Sequence, residues 1–227
     1  LGMRALIWSA DVAVKEEGQE DVKFAGPVAW TTIAISLAFS VALFFMLPTA
    51  AAKWLSPVGA GGLLTSIVEG VIRLGIFLLY LWAIGFMPDI RRVFAYHGAE
   101  HKTINAYESG APLSPESVAT FSTAHTRCGT SFLLIVLMLF VLISTFLGRP
   151  PLLIRLLVRL AMVPLVASVA YEFIKFAARH EDNPLVRLLT APGLALQRLT
   201  TEQPDPAMLE VAIAALERVA ALDAAPA

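Results

Sequence analysis

Four long apolar runs dominate the chain and are separated by shorter polar segments. They cover residues 27–52, 63–87, 130–147 and 152–176, and the first of them contains no charged residue. Each run approaches or exceeds the ~20 residues that a helix needs to cross the hydrocarbon core of a bilayer. The pattern predicts an all-α polytopic membrane protein with about four transmembrane helices and additional cytoplasmic amphipathic helices.

The polar segments divide the chain into three parts. We expect a cytoplasmic N-terminal segment at residues 1–25, a four-helix transmembrane domain at residues 26–180 and a cytoplasmic amphipathic region at residues 181–227. Between the second and third spans, residues 88–130 form a cytoplasmic loop. Residues 208–222 have the periodicity of an amphipathic helix, which we expect to pack on the membrane domain or on another subunit.

Composition supports a membrane protein and excludes other classes. The 227 residues are 57% apolar and 15% charged, and the mean hydropathy is +0.72. Soluble domains average ~45–50% apolar and ~25% charged residues. A net charge of −1 gives no electrostatic basis for binding nucleic acid. The single cysteine, Cys128, excludes an intrachain disulfide.

Basic residues are distributed unevenly between the two sides of the predicted spans. One side holds Lys53 and Arg149, together with Arg155 and Arg159, which we expect to reach the interface. The positive-inside rule therefore predicts that both termini and the loop at residues 88–130 are cytoplasmic. The basic residues predicted to lie on the cytoplasmic side are Arg4, Lys15, Lys23, Arg91, Arg92, Lys102, Arg127, Lys175, Arg179, Arg187 and Arg198.

A histidine motif lies in this polar loop. Residues 97–101 read His-Gly-Ala-Glu-His, so a helix would place His97 and His101 on one face, where two imidazoles can bind one metal ion. The spacing reverses the zinc-peptidase motif H-E-x-x-H. Glu100 is then a candidate general base. The alternative is that both histidines are interfacial residues and that Glu100 pairs with a neighbouring cation.

A catalytic metal site commonly has three protein ligands. The sequence does not decide which residue is the third. His125, which precedes the third span, and Glu172, near the inner end of the fourth, are the main candidates, and Glu108 is another. Cys128 fits a small buried thiol, although His125 and Cys128, three residues apart, could also ligate together.

Two charges interrupt the second apolar run. Glu69 and Arg73 are four residues apart and share one helical face. Charges at this depth usually face a bundle interior or a partner. We expect a structural ion pair, and the alternative is a pair that contacts the substrate or supports the metal site.

Several separated segments resemble the YqhQ-like family of bacterial membrane proteins (DUF1385), over residues 2–215. The resemblance implies a bacterial inner-membrane location and a metal site, because the family is described as predicted metal-dependent enzymes. It implies no substrate. Because the family carries an N-terminal Gly-Gly-Gln-Ala-Val-Ile-Glu-Gly-like motif and this chain begins at Leu1, we expect a segment upstream. The matching segments are Tyr96-His-Gly-Ala-Glu-His-Lys-Thr-Ile104, Tyr107-Glu108, His125-Thr-Arg-Cys-Gly-Thr-Ser-Phe132, Tyr171-Glu172 and Leu199-Thr-Thr-Glu202.

Two hypotheses follow for the function. The first is a membrane-embedded metal-dependent hydrolase, with zinc as the ion, Glu100 as the base and Arg127 or Lys102 stabilising negative charge. Its substrate would be a peptide or a lipid-like molecule. The second is a non-catalytic oligomeric scaffold, channel or transporter, in which Glu69, Arg73, Glu108 and the histidines line a subunit interface or a pathway. We expect the lipid bilayer as a partner, and a homo-oligomer formed through the membrane domain or the C-terminal helix.

Overall fold

The structure is a computed structural model that describes residues 7–10, 12, 27–55, 62–146 and 151–223. The chain divides into two compact units, Leu1–Leu55 and Ser56–Ala227. Within the described ranges every regular element is helical and no strand occurs, so the predicted all-α class is confirmed. Several residues on which the predicted topology relies lie outside the described part: Arg4, Lys15, Lys23, Arg149 and the side chain of Arg155. The predicted sidedness therefore stays a prediction.

The first unit contains one long apolar helix. Helix α1 (Pro27–Val41) runs into a π-helical segment, Ala42–Met46, and continues as α2 (Leu47–Leu55). The stretch from Trp30 to Leu55 is long and apolar enough to cross a membrane. Its only charge is Lys53, in the last turn, where a long side chain can extend towards water.

The second unit contains three further candidate spans. Helix α3 (Gly62–Ile84) ends in a turn, and Pro88 opens a separate helix, α4 (Pro88–Glu108). Candidate spans also lie in α6 (Gly129–Phe146) and α7 (Leu152–Arg179). The four apolar helices confirm the predicted membrane protein and indicate a lipid bilayer environment. Residues 85–87 form a turn between α3 and α4, because the proline at the start of α4 cannot extend the helix before it.

Three shorter or amphipathic helices complete the unit. They are α5 (Pro115–Val118), α8 (Pro184–Thr200) and α9 (Pro206–Asp223). Asp205 caps α9, since its carboxylate accepts a hydrogen bond of 2.8 Å from the Met208 amide. The apolar stripe of α9 packs on α4 and α5 and buries Leu209 and Ile213.

A buried ion cluster lies within the spans. Glu69 and Arg73 on α3 are both 2% exposed and pair at 2.7 Å. The same carboxylate contacts the Arg159 guanidinium of α7 at 2.8 Å. The predicted Glu69–Arg73 ion pair is confirmed. The prediction that Arg159 reaches the interface is wrong, because this arginine is buried beside an acceptor that compensates its charge in an apolar environment.

Removing the carboxylate should leave two guanidinium groups without this partner. We expect Glu69→Ala to lower the free energy of unfolding by about 3–5 kcal/mol. The control is Glu172→Ala, since Glu172 is exposed and 3.8 Å from Lys175, a surface pair worth at most about 1 kcal/mol. Thermal and denaturant unfolding in detergent measure both. Equal losses in the two variants would contradict the account of the buried cluster.

Candidate metal centre

The two histidines of the motif lie one turn apart on α4, as predicted. Their ring centroids are 4.3 Å apart. His101 is buried and His97 is half-buried. The helix therefore brings both imidazoles to one side, where they border a pocket of about 550 Å³.

Backbone carbonyls orient both imidazole rings. The Nδ1 atom of His97 is 2.8 Å from the Thr200 carbonyl oxygen, and the Nδ1 atom of His101 is 2.5 Å from that of Thr123. Because a carbonyl oxygen only accepts hydrogen bonds, each Nδ1 carries the hydrogen. In the neutral ring the lone pair is then on Nε2 and is available to a metal ion, and the carbonyl oxygen fixes the ring's orientation, as in many metal sites. When His97 is protonated, its Nε2 instead donates to the Cys128 sulfur.

A glycine inside the motif permits this arrangement. The chain just after α8 crosses α4 at Gly98, and the Glu202 amide donates a 3.0 Å hydrogen bond to the Phe94 carbonyl oxygen. A Cβ atom at position 98 would collide with the Glu202 carbonyl oxygen. Gly98 therefore lets the segment that carries the Thr200 carbonyl approach the helix closely.

A lysine and an asparagine on α4 hold the loop that faces His101. The buried Lys102 ammonium donates to the Ala119 and Phe121 carbonyl oxygens at 2.8 and 2.6 Å. Asn105 donates to the carbonyl oxygens of Ser122 and Ala124. Burial lowers the pKa of Lys102. Because the Lys102 ammonium is bound to the Ala119 and Phe121 carbonyl oxygens, the geometry favours Arg127 over Lys102 as the cation that faces the pocket.

Cys128 completes a group of three potential metal ligands. It directly precedes α6, it is 4% exposed, and its Sγ is 3.3 Å from the His97 Nε2 atom. One ligand atom from each of His97, His101 and Cys128 lies within 4.8 Å of the others. The sequence favours His125 or Glu172 as the third ligand, whereas in the structure the Cys128 thiol lies beside the two imidazoles.

The surroundings of Cys128 favour its thiolate. Burial opposes ionisation, but hydrogen bonds from His101, His97 and Thr130 outweigh it and lower the pKa of the thiol to about 5. The hydrogen bond to the sulfur, opposed by burial, raises the pKa of His97, and the nearby Glu100 charge adds to the rise. A thiolate beside an imidazole is the form of cysteine that binds metals and attacks electrophiles.

His125 lies at the edge of the pocket, but both of its ring nitrogens have protein partners. Its Nδ1 accepts the Arg127 amide at 3.3 Å, and its Nε2 is 3.2 Å from the Glu108 carboxylate. The amide of the buried Gln197 side chain bonds both backbone polar groups of His125 at 2.8 Å. Sequence analysis missed Gln197, whose one signal is a polar residue on the apolar face of α8.

Of the remaining candidate residues, some line the pocket and the others lie away from it. Glu100, Glu108 and Arg127 line the pocket, and Arg127 pairs with Glu108 at 3.0 Å. Glu172 is exposed and faces Lys175, so it does not join the histidines. Glu69 and Arg73 belong to the buried ion cluster of the spans.

A methyl group at position 98 should displace the segment after α8 and disturb His97. We expect Gly98→Ala to cost about 1–3 kcal/mol in unfolding free energy, the usual range for overpacking. The control is Gly75→Ala on α3, where a Cβ meets nothing within 4 Å. Thermal unfolding in detergent compares the two variants. A Gly98→Ala protein as stable as the Gly75→Ala protein would contradict the close approach.

The single cysteine makes its ionisation measurable. Metal-free protein should gain thiolate absorbance near 240 nm with a midpoint at about pH 5, whereas a free thiol titrates near 8.5. Cys128→Ser, which lacks the thiol, provides the baseline. Because the folded pKa is lowered, the thiolate should persist at neutral pH and disappear as the pH falls through 5. A midpoint at or above pH 8 would exclude the thiolate–imidazole arrangement.

Comparison with known proteins places the chain in a family. No solved structure matches it. A relative from Bacillus subtilis (strain 168), named "Uncharacterized protein YqhQ", is 33% identical over 210 residues, which is 91% of this chain and 66% of the relative. The chain thus spans slightly less than two thirds of that relative's length. A family model described as "Protein of unknown function (DUF1385)" matches residues 1–222. The chain therefore belongs to the DUF1385 family, as the sequence motifs had indicated.

Proposed function

We propose that this protein is a membrane-embedded, metal-dependent hydrolase whose ion is held by His97, His101 and Cys128. One observation carries the proposal: a ligand atom from each of these residues lies within 4.8 Å of the others, beside an open pocket. The uneven distribution of basic residues supports a site that faces the cytosol at a bacterial inner membrane.

The chemistry of the donors fits zinc. Two imidazole nitrogens and a thiolate form a mixed nitrogen and sulfur set, whereas magnesium and calcium prefer oxygen ligands. Three protein ligands beside a pocket leave a position open, which is the usual composition of a catalytic zinc site. The carbonyl oxygens of Thr200 and Thr123 behind the rings supply the supporting hydrogen bonds that such ligands usually have.

Glu100 is placed to move protons. It is exposed, it lines the pocket, and its charge is close enough to raise the pKa of His97. When bound, zinc polarises a carbonyl or phosphoryl oxygen and lowers the pKa of water to around 7. We assign to the Glu100 carboxylate the removal of a proton from the attacking water and its delivery to the leaving group.

Arg127 supplies the positive charge of the site. Its guanidinium lines the pocket and is held at 3.0 Å by Glu108, which also contacts His125. The first turn of α6 begins two residues later and adds the partial positive charge of a helix N-terminus. We assign to Arg127 the stabilisation of negative charge that develops on the substrate.

A second candidate uses the same residues without a metal. The Cys128 sulfur is 3.3 Å from the His97 Nε2 atom, and the Thr200 carbonyl orients that ring from behind. Cys128, His97 and the Thr200 carbonyl oxygen thus have the positions of the nucleophile, the base and the orienting group of a cysteine hydrolase. The thiolate would attack an acyl carbon, the protonated His97 would give its proton to the leaving group, and water would release the acyl group. Inactivation by a thiol reagent but not by a chelator would favour this candidate.

The channel or scaffold alternative has less support. It required Glu69 and Arg73 to line a subunit interface or a pathway. Both are 2% exposed and pair with each other, and Glu69 also contacts Arg159 of the same chain. An intrachain cluster of this kind is explained by the cost of unpaired charge in the spans. The predicted homo-oligomer stays a prediction.

Metal content tests the ligand set. We expect about one zinc ion per chain in protein purified in detergent and incubated with zinc. His97→Ala/His101→Ala and Cys128→Ser should each lose at least about 90% of it, because each removes a ligand from a three-ligand site. Glu172→Ala is the matched control and should keep its zinc. Equal zinc in the wild type and the double variant would contradict the proposal.

Glu100→Gln separates catalysis from metal binding. The amide is isosteric but cannot accept a proton at neutral pH, so turnover should fall by about 10²–10⁴-fold. Zinc content should stay at the wild-type level because Glu100 is not a ligand. A panel of fluorogenic peptide and lipid-like esters measures turnover. A variant with full turnover would remove Glu100 from the mechanism.

A further inference from the structure

A second pocket adjoins the metal centre. Its volume is about 540 Å³, and it shares Arg127 and Gly129 with the first pocket. Its remaining walls come from the first turn of α6 and from residues 171–179 of α7. A ligand bound there would therefore lie directly beside the His97–His101–Cys128 group.

Three basic side chains are among the walls of the second pocket. Arg127, Lys175 and Arg179 line it, and no carboxylate is among the described residues that form its walls. Glu108 partly offsets Arg127, and the exposed Glu172 is 3.8 Å from Lys175. Arg179 is exposed and lines the same pocket. Three cations around one cavity favour a dianionic or monoanionic ligand, above all a phosphate group.

The position of the pocket indicates an amphiphile. The candidate span of α6 begins at Gly129 and that of α7 ends at Arg179, so the cations lie at one end of both spans. Phe132 and Ile174, one turn further along each span, provide an apolar wall. Cationic pockets between spans at a bilayer edge are suited to lipid headgroups, with the acyl chains along the adjoining apolar surface.

We propose that the Arg127–Lys175–Arg179 pocket binds the phosphate of an anionic membrane lipid and holds the lipid beside the His97–His101–Cys128 group. Water would there cleave an ester bond next to that phosphate and release an acid and an alcohol. This inference rests on the proposed hydrolase function for its second half, and it narrows the substrate class from peptide or lipid-like molecules to phosphate-bearing amphiphiles. A free phosphate compound has the same charged group as the lipid but no acyl chains to contact the apolar wall of Phe132 and Ile174. The lipid therefore fits the pocket better.

Binding of a short-chain lipid tests the pocket. The probe is dioctanoyl phosphatidylglycerol, and dioctanoylglycerol is the control that has the same chains without phosphate. Isothermal titration of protein in neutral detergent should show binding of the phospholipid about tenfold or more tighter than that of the control. Inorganic phosphate at millimolar concentration should compete poorly.

Two charge variants locate the site. Lys175→Gln/Arg179→Gln removes two exposed cations of the pocket and should weaken phospholipid binding about tenfold or more, because two charged hydrogen-bond donors are lost. Arg187→Gln/Arg198→Gln removes the same charge from α8 and should bind as the wild type does. Equal binding by both variants, or no preference over dioctanoylglycerol, would overturn the inference. Competition by inorganic phosphate as strong as that of the lipid would overturn the choice of a lipid.

The same samples separate this inference from the proposed function. His97→Ala/His101→Ala should bind the phospholipid as the wild type does, because neither histidine lines the second pocket. Wild-type protein that binds phospholipid but no zinc would overturn the metal-dependent hydrolase and keep the lipid pocket. Protein that binds zinc but shows no phospholipid preference would overturn the lipid pocket alone.

Discussion

The hydrogen bond between the His97 ring and the Thr200 carbonyl oxygen joins residues that are 103 positions apart in the chain. It depends on close contact between the segment after α8 and helix α4, which Gly98 permits because it has no Cβ. It leaves the His97 Nε2 atom directed at Cys128. Without this contact, the ring could rotate away and the three donor atoms would no longer converge.

Carboxylates pair with cationic side chains both in the candidate spans and at the pocket. Glu69, Arg73 and Arg159 are charged groups inside the candidate spans, and each contacts an opposite charge. At the pocket, Glu108 holds Arg127 and contacts His125 in a similar way. In both clusters a carboxylate holds its cationic partners in place, and in the spans this pairing offsets the cost of burying charge. They differ in exposure, since the first is enclosed by helices and the second borders an open cavity that a ligand can enter.

The length of the four apolar runs made the helical membrane fold predictable from the sequence. The four runs predicted the four long apolar helices because a spanning helix must be continuously apolar, and the spacing of His97 and His101 predicted a shared helical face. The third member of the donor group was harder to predict. Cys128 reaches the histidines through the loop before α6, and the path of a loop has no periodic signal in sequence. The orienting groups of Thr123 and Thr200 are backbone carbonyls, which every residue possesses. Gln197 was missed because a lone polar residue on an amphipathic helix usually faces water.

The account depends most directly on the identity of the three donor atoms. Zinc K-edge X-ray absorption of the zinc-loaded protein reports those atoms and their distances. We predict one sulfur at about 2.3 Å and two imidazole nitrogens at about 2.0–2.1 Å, with one further light atom. Loss of the sulfur scattering in Cys128→Ser would assign it. A wild-type spectrum with only nitrogen and oxygen neighbours would contradict the His97–His101–Cys128 centre.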